Sequence, residues 1–195
     1  MKAANSSTGI AIPKWLHELH GSYSSRRDLA LVQGCAWGVT ALVVGVAVLE
    51  GFDLWVVALL ALLVVDIAGG VVSNVTPETN AHYNASRRAR VVFLTLHVLQ
   101  PALLIWLFPT WAAAIAVVAM LTLATAFGIE FFARRSAAAP SAVAAAIVLL
   151  TAIFLMPFVL GPPPFVALPL ILALYVLKVG VAFPVDWYPD RNTGD

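Results

Sequence analysis

Polar residues are rare along most of this chain, and where they fall divides it into six apolar runs. These are Leu29–Leu49, Leu54–Val75, Val91–Phe108, Trp111–Phe132, Ser141–Leu160 and Phe165–Phe183. A helix of about 20 apolar residues crosses a hydrocarbon layer roughly 30 Å thick, so each run reaches or approaches the length of a span. Only Pro109 and Thr110 separate the third run from the fourth, which suits a tight helical hairpin. Gly161-Pro162-Pro163-Pro164 separates the fifth from the sixth and cannot remain helical.

Composition strengthens this reading. The 195 residues are 62% hydrophobic and 11% charged, against about half and a quarter in a soluble domain. A soluble chain of this length could not hide so much apolar surface in one core, so its solvent must be lipid. The net charge of +1 provides no basic field for nucleic acid. The single cysteine, Cys35, excludes an intrachain disulfide, a CxxC pair and a cysteine-rich zinc site. It lies between Gly34 and Ala36 and reads as a small packing residue. The first apolar run starts behind a long polar stretch, unlike the early, short h-region of a cleaved signal.

The loop charges suggest an orientation. Lys2, Lys14, Arg26 and Arg27 precede the first run, Arg87, Arg88 and Arg90 follow the second, and Arg134 and Arg135 follow the fourth. The other connections hold no Lys or Arg. Basic and non-basic sides alternate as the positive-inside rule requires of six spans that begin inside. The expectation is an all-α integral membrane protein with six transmembrane helices, in a cell (inner or plasma) membrane with both termini cytoplasmic. Residues 1–28 would form a cytoplasmic tail, 29–183 the membrane domain and 184–195 a second cytoplasmic tail.

Further elements are expected at the boundaries. Trp15, Leu16 and Leu19 share a face in Pro13–His20, which predicts a short interfacial helix. Phe183, Trp187 and Tyr188 predict an aromatic belt at the exit of the last run. Thr76-Pro77-Glu78 has an N-cap residue, proline at N1 and an acid in the first turn, so it should start a helix running through the arginines into the third span.

Ionisable residues inside spans are costly and by default suggest function. At about 1.5 Å per residue, Asp66 lies roughly 18 Å from the outer end of its span and Lys178 roughly 20 Å, while His97 lies about 10 Å from the inner end. Glu130 closes the fourth span on the inner side, so all four fall in the cytoplasmic half. Asp66, Gly70, Ser73, Asn74 and Pro77 follow i, i+4, i+7, i+8, i+11, one helical stripe. It reads either as a polar site or as a small-residue packing seam in which Asp66 pairs with a neighbour. His97, Gln100 and Pro101 share a face of the third run, and Pro101 cannot donate to the carbonyl of His97. An Asp–His pair is a usual general-base arrangement.

Lys178 has two readings, snorkelling to the head groups or a salt bridge to Asp66 or Glu130. Glu130 reads as a surface ion pair with Arg134, four residues on. Asn80, His82, Tyr83 and Asn84, with the nearby arginines, are candidates to cap the inner site and bind phosphate. His17 and His20 do not form a metalloprotease motif, and no metal or cofactor is expected. The chain has neither the Gly-x-Ser-x-Gly of rhomboid-like proteases nor the paired aspartate motifs of prenyl and CDP-alcohol transferases.

Three functional expectations follow. In the first, a membrane-embedded enzyme acts on a lipid or amphiphile. Asp66 orients His97 as general base, while Asn74, Gln100, Gly70, Ser73, Arg87, Arg88 and Lys178 bind substrate. In the second, the same residues line the path of a transporter or a binder of small solutes. In the third, they glue an accessory or scaffold subunit to itself, to further copies or to a partner membrane subunit.

Overall fold

In the computed structural model, residues 10–13 and 23–192 are described. The interfacial helix expected around Trp15 and Leu19, and the histidines within it, lie outside those residues. Ile10–Ala11 (β1) pairs antiparallel with Tyr23–Ser24 (β2). Everything after that is helical or connecting.

The first run forms α1, Arg26–Leu49. Ser25 caps it, its hydroxyl accepting from the Asp28 amide at 3.0 Å and donating to the Asp28 carboxylate at 2.7 Å. The second forms α2, Leu54–Ser73, which packs along α1. A Cβ at Gly69 would stand 3.2 Å from that of Ala36, so glycine keeps the two helices close.

The stretch from Thr76 into the third span is not one helix. Pro77–Asn84 (α3) begins with proline in its first turn as expected, but it ends before the arginines. Ser86 adopts an extended conformation and its hydroxyl accepts from the Ala89 amide, starting a separate helix, α4, Arg87–Leu96. The third span then breaks once more at His97–Val98 and resumes as α5, Leu99–Leu107. A 3₁₀ turn, Pro109–Trp111, makes the hairpin to α6, Ala112–Phe132. A short turn at Arg135–Ala137 leads to α7, Ala139–Leu160. Gly161 then ends the helix at φ 89°.

The last run differs from the other five. It forms α8, Leu168–Tyr175, followed by a π-helical segment, Val176–Ala182. Five helical stretches among the described residues are long and apolar enough to cross a membrane, and Leu168–Ala182 is shorter. It is also the most enclosed. Ile171, Leu172, Val176 and Val179 are buried, and the π segment packs against α2, α6 and α7. The outward faces of the long helices are apolar instead, as at Leu62, Phe154, Phe158 and Val159. This is the inside-out distribution expected of a multi-pass membrane protein.

The aromatic residues after this segment fold back onto the protein, and Phe183 is withdrawn from any belt. Phe183 is buried and stacked on Phe93 at 3.8 Å. The Trp187 indole donates to the Ala182 carbonyl and the Tyr188 hydroxyl to the Val75 carbonyl. Asn80 completes the closure, its amide donating to the Val185 carbonyl and its oxygen accepting from the Trp187 amide.

Candidate functional site

The stripe on α2 meets the last helix through one glycine. A Cβ at Gly70 would overlap the outer carbons and ammonium of Lys178, so the lysine lies flat against α2 where a side chain is missing. Its ammonium donates to the Asp66 carboxylate at 2.8 Å and to the Asp66 carbonyl at 3.1 Å. The Gln100 amide donates to the same carboxylate oxygen. Only 2% of the lysine side chain is exposed, against 41% of the aspartate side chain. Lys178 therefore does not snorkel. It forms the salt bridge to Asp66, with its charge held inside the protein.

Asp66 does not hydrogen-bond to His97. The imidazole stacks on Phe93 at 3.8 Å, and its Nδ1 lies 2.7 Å from the Phe93 carbonyl. A carbonyl only accepts, so Nδ1 carries a hydrogen, and in the neutral ring Nε2 keeps its lone pair. The Tyr175 hydroxyl donates to the His97 carbonyl at 3.3 Å, taking up the group that Pro101 leaves without a main-chain donor.

Asp66, Gly70 and Ser73 from α2, Asn74 at its C-cap, Lys178 from the π segment and His97 from the third span line a single cavity of about 360 Å³. Tyr83, Ala89, Val92, Phe93 and Leu96 complete its walls. Val92 and Leu96 are also exposed on the apolar flank of the molecule, and the cavity lies between α2 and α4 beside them. Three buried polar atoms around it have no hydrogen-bond partner, namely the Ser73 hydroxyl, the Asn74 side-chain nitrogen and His97 Nε2. Buried polar groups are paired in the great majority of cases, so three orphans at one cavity call for an explanation. A second cavity of about 230 Å³ lies on the α1 side of Asp66, lined by Gln33, Trp37, Gly69 and Gly70 among others.

The remaining candidates are elsewhere. Gln100 holds Asp66 and is not part of the cavity wall. Arg87 belongs to a cluster around Glu130, while Arg88 is exposed and outside the cavity. The Glu130 side chain is 2% exposed, not a surface group, and its partners are not the expected Arg134. Arg90 grips it with two hydrogen bonds, at 2.7 and 3.0 Å. Arg135 reaches it at 3.4 Å and Arg87 at 3.6 Å. Burial pushes the Arg135 guanidinium down to about 10, helped by the like charge of Arg90 and opposed by Glu130, so it is charged at neutral pH. No group of three or more metal-ligating side chains occurs among the described residues.

Phe93 and Tyr175 are the site residues that sequence reasoning missed. Phe93 had a signal, since it precedes His97 by four and shares its helical face. No local spacing connects Tyr175 to His97. The chain matches no family model, and neither curated proteins nor solved structures show a significant likeness to it.

Proposed function

We propose that this chain is a six-span membrane protein, both ends cytoplasmic, that takes an amphiphilic small molecule sideways from the lipid into the cavity between α2 and α4. The observation that carries this reading is the pairing of three unpartnered buried polar atoms with a mouth walled by Val92 and Leu96. The polar floor suits a head group and the apolar mouth suits a chain, as in other ligand sites where a few polar groups fix orientation in an apolar pocket. Its volume falls within the usual range of about 300–1,000 Å³. Alternating loop charges support the orientation and, with it, a position of the cavity in the inner half of the bilayer.

The transporter reading has less support, because the core beyond the cavity is an apolar cluster of Leu60, Val64, Leu104, Phe108, Ile115 and Phe165. A scaffold would need the polar groups sealed and satisfied. An enzymatic reading has one observation in its favour, the Nδ1 anchor that aims the free His97 Nε2 as a general base. In that case the Phe93 carbonyl, not Asp66, sets the tautomer.

The test is photolabelling in lipid nanodiscs with a chain-borne diazirine amphiphile, followed by mapping of the adducts. Adducts are expected on Val92, Phe93 and Leu96, and Ala89→Phe should suppress them. Labelling spread evenly over the lipid-facing helices, unchanged by Ala89→Phe, would overturn the reading.

A further inference from the structure

The cavity, taken as an amphiphile site, leaves the head group open, and the donor and acceptor chemistry of the orphan atoms narrows it. The anchored Nδ1 of His97 makes Nε2 a hydrogen-bond acceptor when the ring is neutral. The Asn74 side-chain nitrogen can only donate, and the Ser73 hydroxyl does both. All three side chains are nine-tenths buried or more. The cavity therefore asks for a head that gives one hydrogen and accepts another.

The charges around the cavity weigh against the main alternative, an anionic head. A sulfate, phosphodiester or carboxylate head accepts only, and would leave a neutral-ring Nε2 facing a lone pair. It would also need an uncommitted cation. Lys178, the cation in the cavity wall, already bonds the Asp66 carboxylate. Arg87, Arg90 and Arg135 converge on Glu130. A quaternary or primary ammonium head has nothing to accept from Asn74 and would meet the Lys178 ammonium.

We infer that the cavity selects an uncharged lipid alcohol, its hydroxyl hydrogen given to His97 Nε2 and its oxygen accepting from Asn74 and Ser73. This rests on the proposed function above. Long-chain alcohols, polyprenols, sterols and diacylglycerols share this head chemistry, and the length of chain beyond the mouth sets which of them enters.

The experiment uses the full-length protein in nanodiscs and three probes with one diazirine-bearing chain: the long-chain alcohol, its methyl ether and its sulfate half-ester. The ether cannot donate and the sulfate is a permanent anion. Labelling of Val92, Phe93 and Leu96 by the alcohol should exceed that by the other two roughly three- to tenfold, the worth of one hydrogen bond. In His97→Leu the preference of alcohol over ether should collapse towards parity. Equal labelling by all three probes in the unmodified protein leaves the amphiphile site standing and overturns the alcohol. Preferential labelling by the sulfate does the same and makes the cavity an anion site. No labelling of the walls by any probe removes the site itself. The comparison of probes is made on the unmodified protein, so it decides the matter even if His97→Leu fails to fold.

Discussion

Two ionised clusters occupy the arginine-bearing half of this molecule, and they differ in what they leave over. Around Glu130 the carboxylate is 2% exposed and shared among Arg87, Arg90 and Arg135. Arg135 also donates to the Phe183 carbonyl, and its own carbonyl accepts from the Asp186 amide, so the cluster ties the ends of two spans to the C-terminal segment. Around Asp66 the proportions reverse. One cation serves one carboxylate that is 41% exposed, and three residues that line the cavity beside it, Ser73, Asn74 and His97, each keep a buried polar atom with no partner. Both clusters set a buried charge against its opposite, and at Glu130 the Arg135 Nε is also without a hydrogen-bond partner, but only the second lines a cavity with several such atoms. A charge with partners has a structural explanation, whereas orphaned polar atoms beside a cavity point to a ligand.

The largest expected effect separates the two. Glu130→Ala leaves Arg90 and Arg135, each 12% exposed in the side chain, without their carboxylate. Removing one partner of a buried pair costs about 3–5 kcal/mol. Thermal unfolding in detergent should register that loss, while alcohol labelling of the folded fraction stays unchanged. If labelling disappears from protein that is still folded, the clusters are coupled and the contrast fails.

Asp66→Leu comes next, at the lower end of the same range of about 3–5 kcal/mol, since Lys178 keeps the Asp66 main-chain carbonyl and borders a cavity that water can enter. Adding Lys178→Met should recover most of the loss, because a buried ion pair can be replaced by apolar side chains at little cost. A double variant no more stable than Asp66→Leu would show that the lysine is held by more than the pair. Gly70→Val is smaller, about 1–3 kcal/mol as an overpacking effect. It should also reduce labelling, since the new side chain displaces Lys178 into the cavity.

How much of this was legible in the sequence follows from the distance each contact spans. Hydropathy placed the five long helices to within a few residues, because lipid imposes their length. The stripe Asp66, Gly70, Ser73, Asn74 was legible because one helix aligns it, and all four residues line the cavity. The partners were legible only as alternatives, the Lys178–Asp66 bridge as one of two readings of the lysine, and the Glu130–Arg90 pair not at all. Lys178 and Asp66 are 112 residues apart, and Glu130 and Arg90 are 40 apart. Depth arithmetic put Lys178 near the head groups but could not show that α8 and the π segment run through the centre. The break at Ser86 was missed for a local reason. An N-cap serine inside an apparent helix looks like any exposed polar residue until its backbone is seen to be extended.

The smallest expected change in stability is the most informative. Thr40 and Thr122 are buried like Ser73 and Asn74, but each of their hydroxyls donates to the carbonyl four residues earlier. They need nothing else. Ser73 and Asn74 keep unpartnered atoms in the folded protein, and a buried group without a partner carries a penalty of roughly 1–3 kcal/mol. Replacing them with Ser73→Ala and Asn74→Leu removes that penalty together with the polar groups. The double variant should therefore be as stable as the parent, or more stable by up to about 1 kcal/mol once the bulk of leucine is allowed for. Alcohol labelling should meanwhile fall roughly tenfold or more for the loss of two hydrogen bonds of about 1 kcal/mol each. Stability kept and binding lost is the signature of residues retained for a ligand. A variant that loses stability and labelling together would mean that Ser73 and Asn74 hold helices, and the Asp66 cluster would then be structural like that at Glu130.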